Sequence, residues 1–167
     1  MDASLPLRTD AYYRNLAQDA LRKADALEPP VAVEAVAAAF GVPMYVTQLP
    51  PWFSGAIIYE DGMPVILLNE AIGGIGRRRA LGHMLGHIMV VLDEFGTGYP
   101  RINPDHRIAD VISEEMTLPT FMVDEQAKKW FNDYRYLARL FGVSEPEMLE
   151  KMRTMGLIKT HGMLWDY

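Results

Sequence analysis

The sequence predicts an α+β fold: N-terminal helices, a small and mainly antiparallel sheet, then a histidine-bearing helix and a C-terminal helical bundle. Three observations predict it. Apolar residues recur at helical spacing toward both ends of the chain. Between residues 44 and 68 that period gives way to short apolar or β-branched runs, parted by Pro50-Pro51 and Glu60-Asp61-Gly62. Directly after them comes an apolar stretch carrying His83 and His87, four residues apart, a spacing that stacks both rings on one face of an α-helix.

The elements follow in order. Residues 9–27 read as a helix, with Thr9 or Asp10 as cap and Tyr13, Leu16, Ala17, Ala20, Leu21 and Ala24 as its apolar stripe. Glu28-Pro29-Pro30 breaks it, because proline lacks the amide hydrogen that a helix uses. Residues 31–40, rich in Ala and Val, read as a second helix ended by Gly41. Met44–Thr47, Ser54–Tyr59 and Val65–Leu68 read as strands, with Asp61-Gly62 as a hairpin turn. Residues 75–91 form the histidine helix. Asp93 to Pro104 reads as a loop because Gly96, Gly98, Pro100 and Pro104 interrupt it. Helices are expected over Asp105–Leu118, 121–131, 133–141 and 145–155, with Gly142-Val143-Ser144 as the last turn and Ser144 as a cap. No repeat or linker divides the chain, so residues 1–167 are expected to form a single domain, with 133–158 a helix–turn–helix-like C-terminal part.

Composition bounds the chemistry. A chain of 167 residues, half of them hydrophobic and 23% charged, is long enough for a real core. With 16 Lys and Arg against 22 Asp and Glu the formal charge is −6, which disfavours nonspecific binding to nucleic acid. There is no cysteine, so a transition metal would be held by histidine and carboxylate. The start Met-Asp-Ala-Ser-Leu-Pro has neither a basic region nor an apolar core, and no apolar run is long enough to span a membrane. A cytoplasmic location is expected.

The pair His83 and His87 has two readings: a grip on one metal ion, or one buried and one solvated histidine on an ordinary helix. His106 weighs toward the first. It stands near the start of the next expected helix, 19 residues beyond His87, and three neutral imidazoles make a sound Zn²⁺ site with an open fourth position. Asp105 and Asp110 are candidates to orient a ligand ring by accepting its second N–H. His161 has no partner in sequence and reads as structural or exposed. In the zincin motif H-E-x-x-H the residue after the first histidine is the general base. Here it is Met84, whose thioether cannot take a proton from water.

Several stretches, in order, resemble the ImmA/IrrE family of zinc metallopeptidases over nearly the whole chain. The opening helix–break–helix resembles Tyr13 to Ala17 through Pro29-Pro30-Val31. The Ser-Gly step resembles Ser54-Gly55-Ala56, and the Ile-x-x-Asn strand end resembles Ile66 to Asn69. Arg78 to His87 aligns with the family's R-x-x-x-A-H-E-L-G-H. His106 to Pro119 aligns with E-x-x-A-N-x-F-A-x-x-L-L-M-P, and Leu137 to Ser144 with Met148 and Gly156-Leu157-Ile158 resembles its closing helix–turn–helix. The resemblance implies a zincin-like fold, a zinc ion on His83, His87 and the residue at 106, and a helix–turn–helix repressor as protein partner.

The departures bear on activity. The family's catalytic Glu is Met84, its ligand Glu is His106, and its Asn is Asp110. Histidine at the ligand position still allows metal binding and removes a negative charge. Methionine at the base position removes the usual proton acceptor, a loss of about 10²–10⁴-fold in rate. Asp93, Glu94, Glu70, Glu114 and Glu115 are the carboxylates to weigh as substitutes. Three readings follow. The chain is a degenerate peptidase that keeps the metal and binds a partner without cutting it; or a working zinc metalloendopeptidase with a displaced base; or a metal-free binding domain. Lys128, Lys129, Arg135, Arg139, Lys151 and Arg153 raise a nucleic-acid reading, but Glu145, Glu147 and Glu150 beside them favour packed helices with solvated charges. Arg77-Arg78-Arg79 reads the same way. Most of the 11 methionines read as core, with Met116, Met122 and Met148 as candidates for a soft peptide surface.

Overall fold

The computed structural model describes residues 8–95 and 105–158. His161 and residues 96–104 of the expected loop lie outside them. Helix α1 (Asp10–Lys23) starts where the Thr9 side chain accepts the Tyr12 amide at 3.2 Å. It stops earlier than the sequence suggests because Asp25 turns into the left-handed region (φ 53°), and the Ala26 amide reaches back to the Leu21 carbonyl at 2.9 Å. Helix α2 (Val33–Ala39) is also shorter than expected, since its first turn begins only after Val31 and Ala32. Gly41 (φ 68°) ends it.

Strands β1 (Met44–Thr47), β2 (Gly55–Glu60) and β3 (Met63–Asn69) form a mixed sheet of order β1-β3-β2. The longer pairing is the antiparallel β2–β3 hairpin. Its turn residues Asp61 and Gly62 both have positive φ (51° and 79°), as a type I′ turn requires. β1 adds parallel to the other edge of β3, with Met44 opposite Ile66 and Thr47 opposite Asn69. That pairing depends on residues 48–54 crossing over the sheet, which local sequence does not encode.

Asn69 holds the crossover. It is buried, donates from Nδ2 to the Phe53 carbonyl at 2.8 Å and to those of Leu49 and Pro50 at 3.3 Å, and accepts the Ala71 amide on Oδ1 at 3.1 Å. The same side chain therefore fixes the entry to β2 and the turn into α3 (Gly74–Phe95). Helix α3 runs through the first three residues of the expected loop. Nearly every position from Ala80 to Val91 is buried, so it is the central helix of the core and not a surface helix with one apolar face.

Helices α4 (His106–Thr117), α5 (Thr120–Lys129), α6 (Tyr134–Phe141) and α7 (Glu145–Thr154) follow. Asp105, Asp133 and Ser144 cap α4, α6 and α7, and Ser144 forms a reciprocal capping box with Glu147. Gly142 closes α6 in the left-handed conformation. One core cluster joins Ile66 and Leu68 of β3, Leu85 and Ile88 of α3, Ile112 of α4 and Phe141 of α6. Met116, Met122 and Met148 belong to it too, so they fill the interior and do not line a surface. Each large side chain so buried contributes about 1.5–3 kcal/mol. The Arg77–Arg79 run is spent on tying elements together. Arg77 donates to the Glu70 carbonyl at 3.3 Å, Arg78 to the Val31 carbonyl at 2.8 Å, and Arg79 pairs with Glu147 of α7.

A buried polar junction joins the bundle to α1. Glu115 of α4, 1% exposed, accepts from Gln18 Nε2 at 2.9 Å, from the Thr120 amide and hydroxyl at 2.8 Å each, and from Lys151 Nζ at 2.9 Å. Lys151 also donates to Thr120 Oγ1 at 3.0 Å. Burial by itself would raise the Glu115 pKa. The Lys151 charge and the hydrogen bonds from Lys151, Thr120 and Gln18 outweigh it, and the carboxyl sits below its ordinary value of 4.5. A depressed carboxyl contributes stability that is complete above 4.5 and is lost as pH falls through the lowered folded value. Urea unfolding of the wild type is therefore expected to show a loss of stability below about pH 4.5 that a Glu115→Gln, Lys151→Met double variant lacks. Equal acid slopes in the two proteins would contradict this account.

Candidate metal centre

The site begins with two glycines. Gly82 and Gly86 lie four apart on α3, and their counterparts on α4 are Ser113 and Ala109. Each glycine costs a helix interior about 1 kcal/mol against alanine. Close packing is the reason to keep them. A Cβ on Gly86 would stand 2.6 Å from the Ala109 carbonyl oxygen and 3.2 Å from its Cα, so the two backbones touch there. A Cβ on Gly82 would meet the Ser113 hydroxyl at 2.5 Å, a contact that side-chain rotation relieves. His83 and His87 each follow one of these glycines, and the crossing lays them beside the first turn of α4.

His106 is the first residue of α4, placed by Asp105, whose side chain accepts the Ile108 amide at 3.2 Å. Asp105 thus acts on the site as the cap of the helix that carries a ligand. Asp110, one turn on, accepts from His83 Nδ1 at 2.7 Å. A carboxylate only accepts, so Nδ1 carries the proton, and in the neutral ring that a metal requires the Nε2 lone pair faces inward. His83 Nε2, His87 Nε2 and His106 Nδ1 then form a triangle with edges of 3.1, 3.1 and 3.2 Å. All three sequence-predicted ligands are brought together, and the group can hold a metal ion.

The donor set fits zinc. Bonds of about 2.0–2.1 Å in a tetrahedral site set nitrogen–nitrogen edges of about 3.3 Å, close to those seen. Three imidazoles would leave one position of a four-coordinate ion free. His87 is buried, His83 half-buried and His106 exposed, so the open side faces outward. The Asp110 carboxylate orients His83 as outer-shell partners of metal ligands do.

Met84 lines the cavity beside His83 as an apolar wall. It is buried, and its methyl lies against β2: a Cβ on Gly55 would stand 2.0 Å from Met84 Cε and 3.0 Å from Sδ. The Leu67 carbonyl oxygen crowds the same point at 2.7 Å, which makes Gly55 the only residue type that fits. Of the carboxylates weighed as substitutes, Glu115 is committed to the buried junction, and Asp93 pairs with Arg8 and accepts from the Tyr12 hydroxyl at 2.8 and 2.9 Å. Glu70 is exposed on the turn before α3. The side chain of Glu94 lies outside the described residues. Glu114 lines the same cavity as His83 and Met84.

Sequence reasoning missed Gly55, Gly82, Gly86 and Asn69 as positioning residues. A signal existed for two of them: the Gly82-x-x-x-Gly86 spacing is matched by Ala109-x-x-x-Ser113, small residues at one helical period on both helices. Gly86→Ala is expected to lose about 1–2 kcal/mol of stability after the roughly 1 kcal/mol that alanine gains in helix propensity, and to bind metal more weakly. Gly82→Ala is expected to lose less. Urea unfolding and metal titration of both variants check this, and a Gly86→Ala protein with wild-type stability and affinity would contradict it.

Neither the protein-family models nor the curated proteins contain a match to the chain. Among solved structures it is similar to one described as a Mycobacterium tuberculosis transcriptional regulator, with a TM-score of 0.54 at 14% identity. The alignment covers 86% of this chain and 46% of that one, so the chain spans less than half the length of the protein it matches. At that identity the likeness is one of fold.

Proposed function

We propose that this chain is a zinc-binding, ImmA/IrrE-like degenerate peptidase that binds a protein partner, such as a transcriptional repressor, without cutting it. One observation carries the reading: three imidazole nitrogens converge within 3.2 Å of one another while the position beside them that would supply a base holds Met84, packed on Gly55. A zinc ion held there supplies a Lewis acid with one open position. The chain supplies three neutral ligands, an oriented His83 and an open outer side. At position 84 it supplies no group to accept a proton. A regulatory setting for the partner accords with the description of the Mycobacterium tuberculosis protein of similar fold as a transcriptional regulator.

A second reading, a working zinc metalloendopeptidase, is favoured by Glu114, a mostly exposed carboxylate in the cavity shared with His83. The two readings differ in what Glu114→Gln does. It leaves a binding protein's metal content in place and abolishes hydrolysis in an enzyme that uses Glu114. The third reading, a metal-free binding domain, is excluded or upheld by metal content alone.

The first test is metal content by mass spectrometry of the purified protein beside His87→Ala and His106→Ala variants. About one zinc per chain is expected in the wild type and none in either variant. A chelator is expected to lower the wild-type melting temperature and to leave His106→Ala unchanged, because an ion bound only by the folded state stabilises it. Absence of metal after zinc is added back would overturn the proposal. Met84→Glu is expected to retain zinc and to raise hydrolysis of a quenched fluorescent peptide library by about 10²–10⁴-fold over the wild type. Strong hydrolysis by the wild type, lost in Glu114→Gln, would instead establish the second reading.

A further inference from the structure

A trough of about 730 Å³ runs from His83 along α3. Three helical faces wall it: Ile75 and Ala80 from α3, Thr117 from α4, and Val143 and Pro146 where α6 hands over to α7. Its size suits a few side chains of a bound polypeptide. The walls are largely apolar, but the charges around them do not cancel. Arg79 and Glu147 neutralise one another in an ion pair that ties α3 to α7. Arg78 is turned onto the carbonyls of Val31 and Phe141. Asp110 lines the trough too, its carboxylate accepting from His83 Nδ1 at 2.7 Å, and Glu114 and Glu150 remain. Their side chains are 53% and 68% exposed, and the cations beside them, Lys151 Nζ and Arg153 Nη1, stand 4.0 and 3.9 Å away, beyond hydrogen-bond length. Lys151 is already committed to Glu115 at 2.9 Å.

We propose that this trough docks a segment of another protein in which a large apolar side chain stands next to a Lys or Arg. The apolar side chain lies against Val143 and Pro146, and the cation meets Glu114 and Glu150. Charge complementarity selects this occupant. An acidic segment would face two incompletely neutralised carboxylates, and a purely polar one would leave the apolar walls wet. The inference rests on the reading of the chain as a peptidase-like domain that binds a protein partner, and it adds the chemistry of the segment bound.

The probe is a fluorescein-labelled peptide with two Leu-Lys pairs in a Gly-Ser background, followed by fluorescence anisotropy. Its counterparts carry Glu for Lys or Ser for Leu. The Leu-Lys peptide is expected to bind the wild type saturably, more weakly as salt rises, and at least about tenfold more tightly than either counterpart. A Glu114→Gln, Glu150→Gln double variant is expected to weaken binding roughly three- to tenfold, and Glu125→Gln, an acid away from the trough, to leave it unchanged. The chain has no cysteine, so Thr117→Cys offers a unique attachment point, and a bulky maleimide there is expected to block the peptide. Thermal melting before and after labelling guards against a misfolded protein. Binding by zinc-free His106→Ala protein would support the trough independently of the metal. Normal zinc content with no peptide binding would overturn this inference and leave the metal reading standing. Equal binding of the Lys and Glu peptides, or peptide binding to the labelled protein, would also overturn it. So would self-association relieved by the double variant, which would give the trough to a second copy of the chain.

Discussion

The backbone contact between Gly86 of α3 and Ala109 of α4 sets the geometry on which the rest of the site depends. A side chain at Gly86 has no room, since its Cβ would lie 2.6 Å from the Ala109 carbonyl oxygen. With the helices held at that distance, residues adjacent to the contact reach across it. His87 follows Gly86, His83 follows Gly82, and His106 and Asp110 flank Ala109. A wider crossing would separate ring nitrogens that now stand 3.1–3.2 Å apart. The crossing is stabilised from both sides: β3 and α2 support α3, and α1 supports α4. The Glu115–Lys151 junction anchors the far half of α4 to α5 and α7.

The chemistry of the site follows from which groups occupy its few positions. Three imidazoles offer strong, neutral donors. Asp110 fixes the tautomer of one of them. Met84 is the informative departure, because it is not a polar residue left idle. Its thioether is packed into the notch made by Gly55, where the sheet and the central helix meet. The position that would supply a proton acceptor is instead a largely buried thioether on the wall of the cavity beside His83. That substitution is the physical basis for reading the domain as one that binds and does not cut. We propose the trough beyond His83 as the surface for such binding, one that would need no chemistry at a metal.

Much of this was legible in the sequence, and the parts that were not share a cause. Elements bounded by Pro, Gly and capping residues could be placed from local signals: the Asp61-Gly62 turn, the Ser144 cap and the break at Pro29-Pro30. The three histidines could be gathered because helical spacing and loop length constrain them. The parallel pairing of β1 with β3 was not legible, since it is made by a crossover pinned by one buried side chain, Asn69. Glu115 and Lys151 look like surface charges in sequence, yet they are 1% and 4% exposed and satisfy each other. Gly82 and Gly86 look like helix weaknesses until the second helix is in place. Met116, Met122 and Met148 proved to be interior. Each of these depends on a partner remote in the chain, and local pattern carries no record of it.

X-ray absorption spectroscopy at the zinc edge of the zinc-loaded protein tests the central claim most directly. The account predicts about four nitrogen or oxygen neighbours near 2.0–2.1 Å, with outer-shell scattering from three imidazoles in the wild type. Fewer than three imidazoles in the wild type, or a sulfur neighbour near 2.3 Å from Met84, would contradict it.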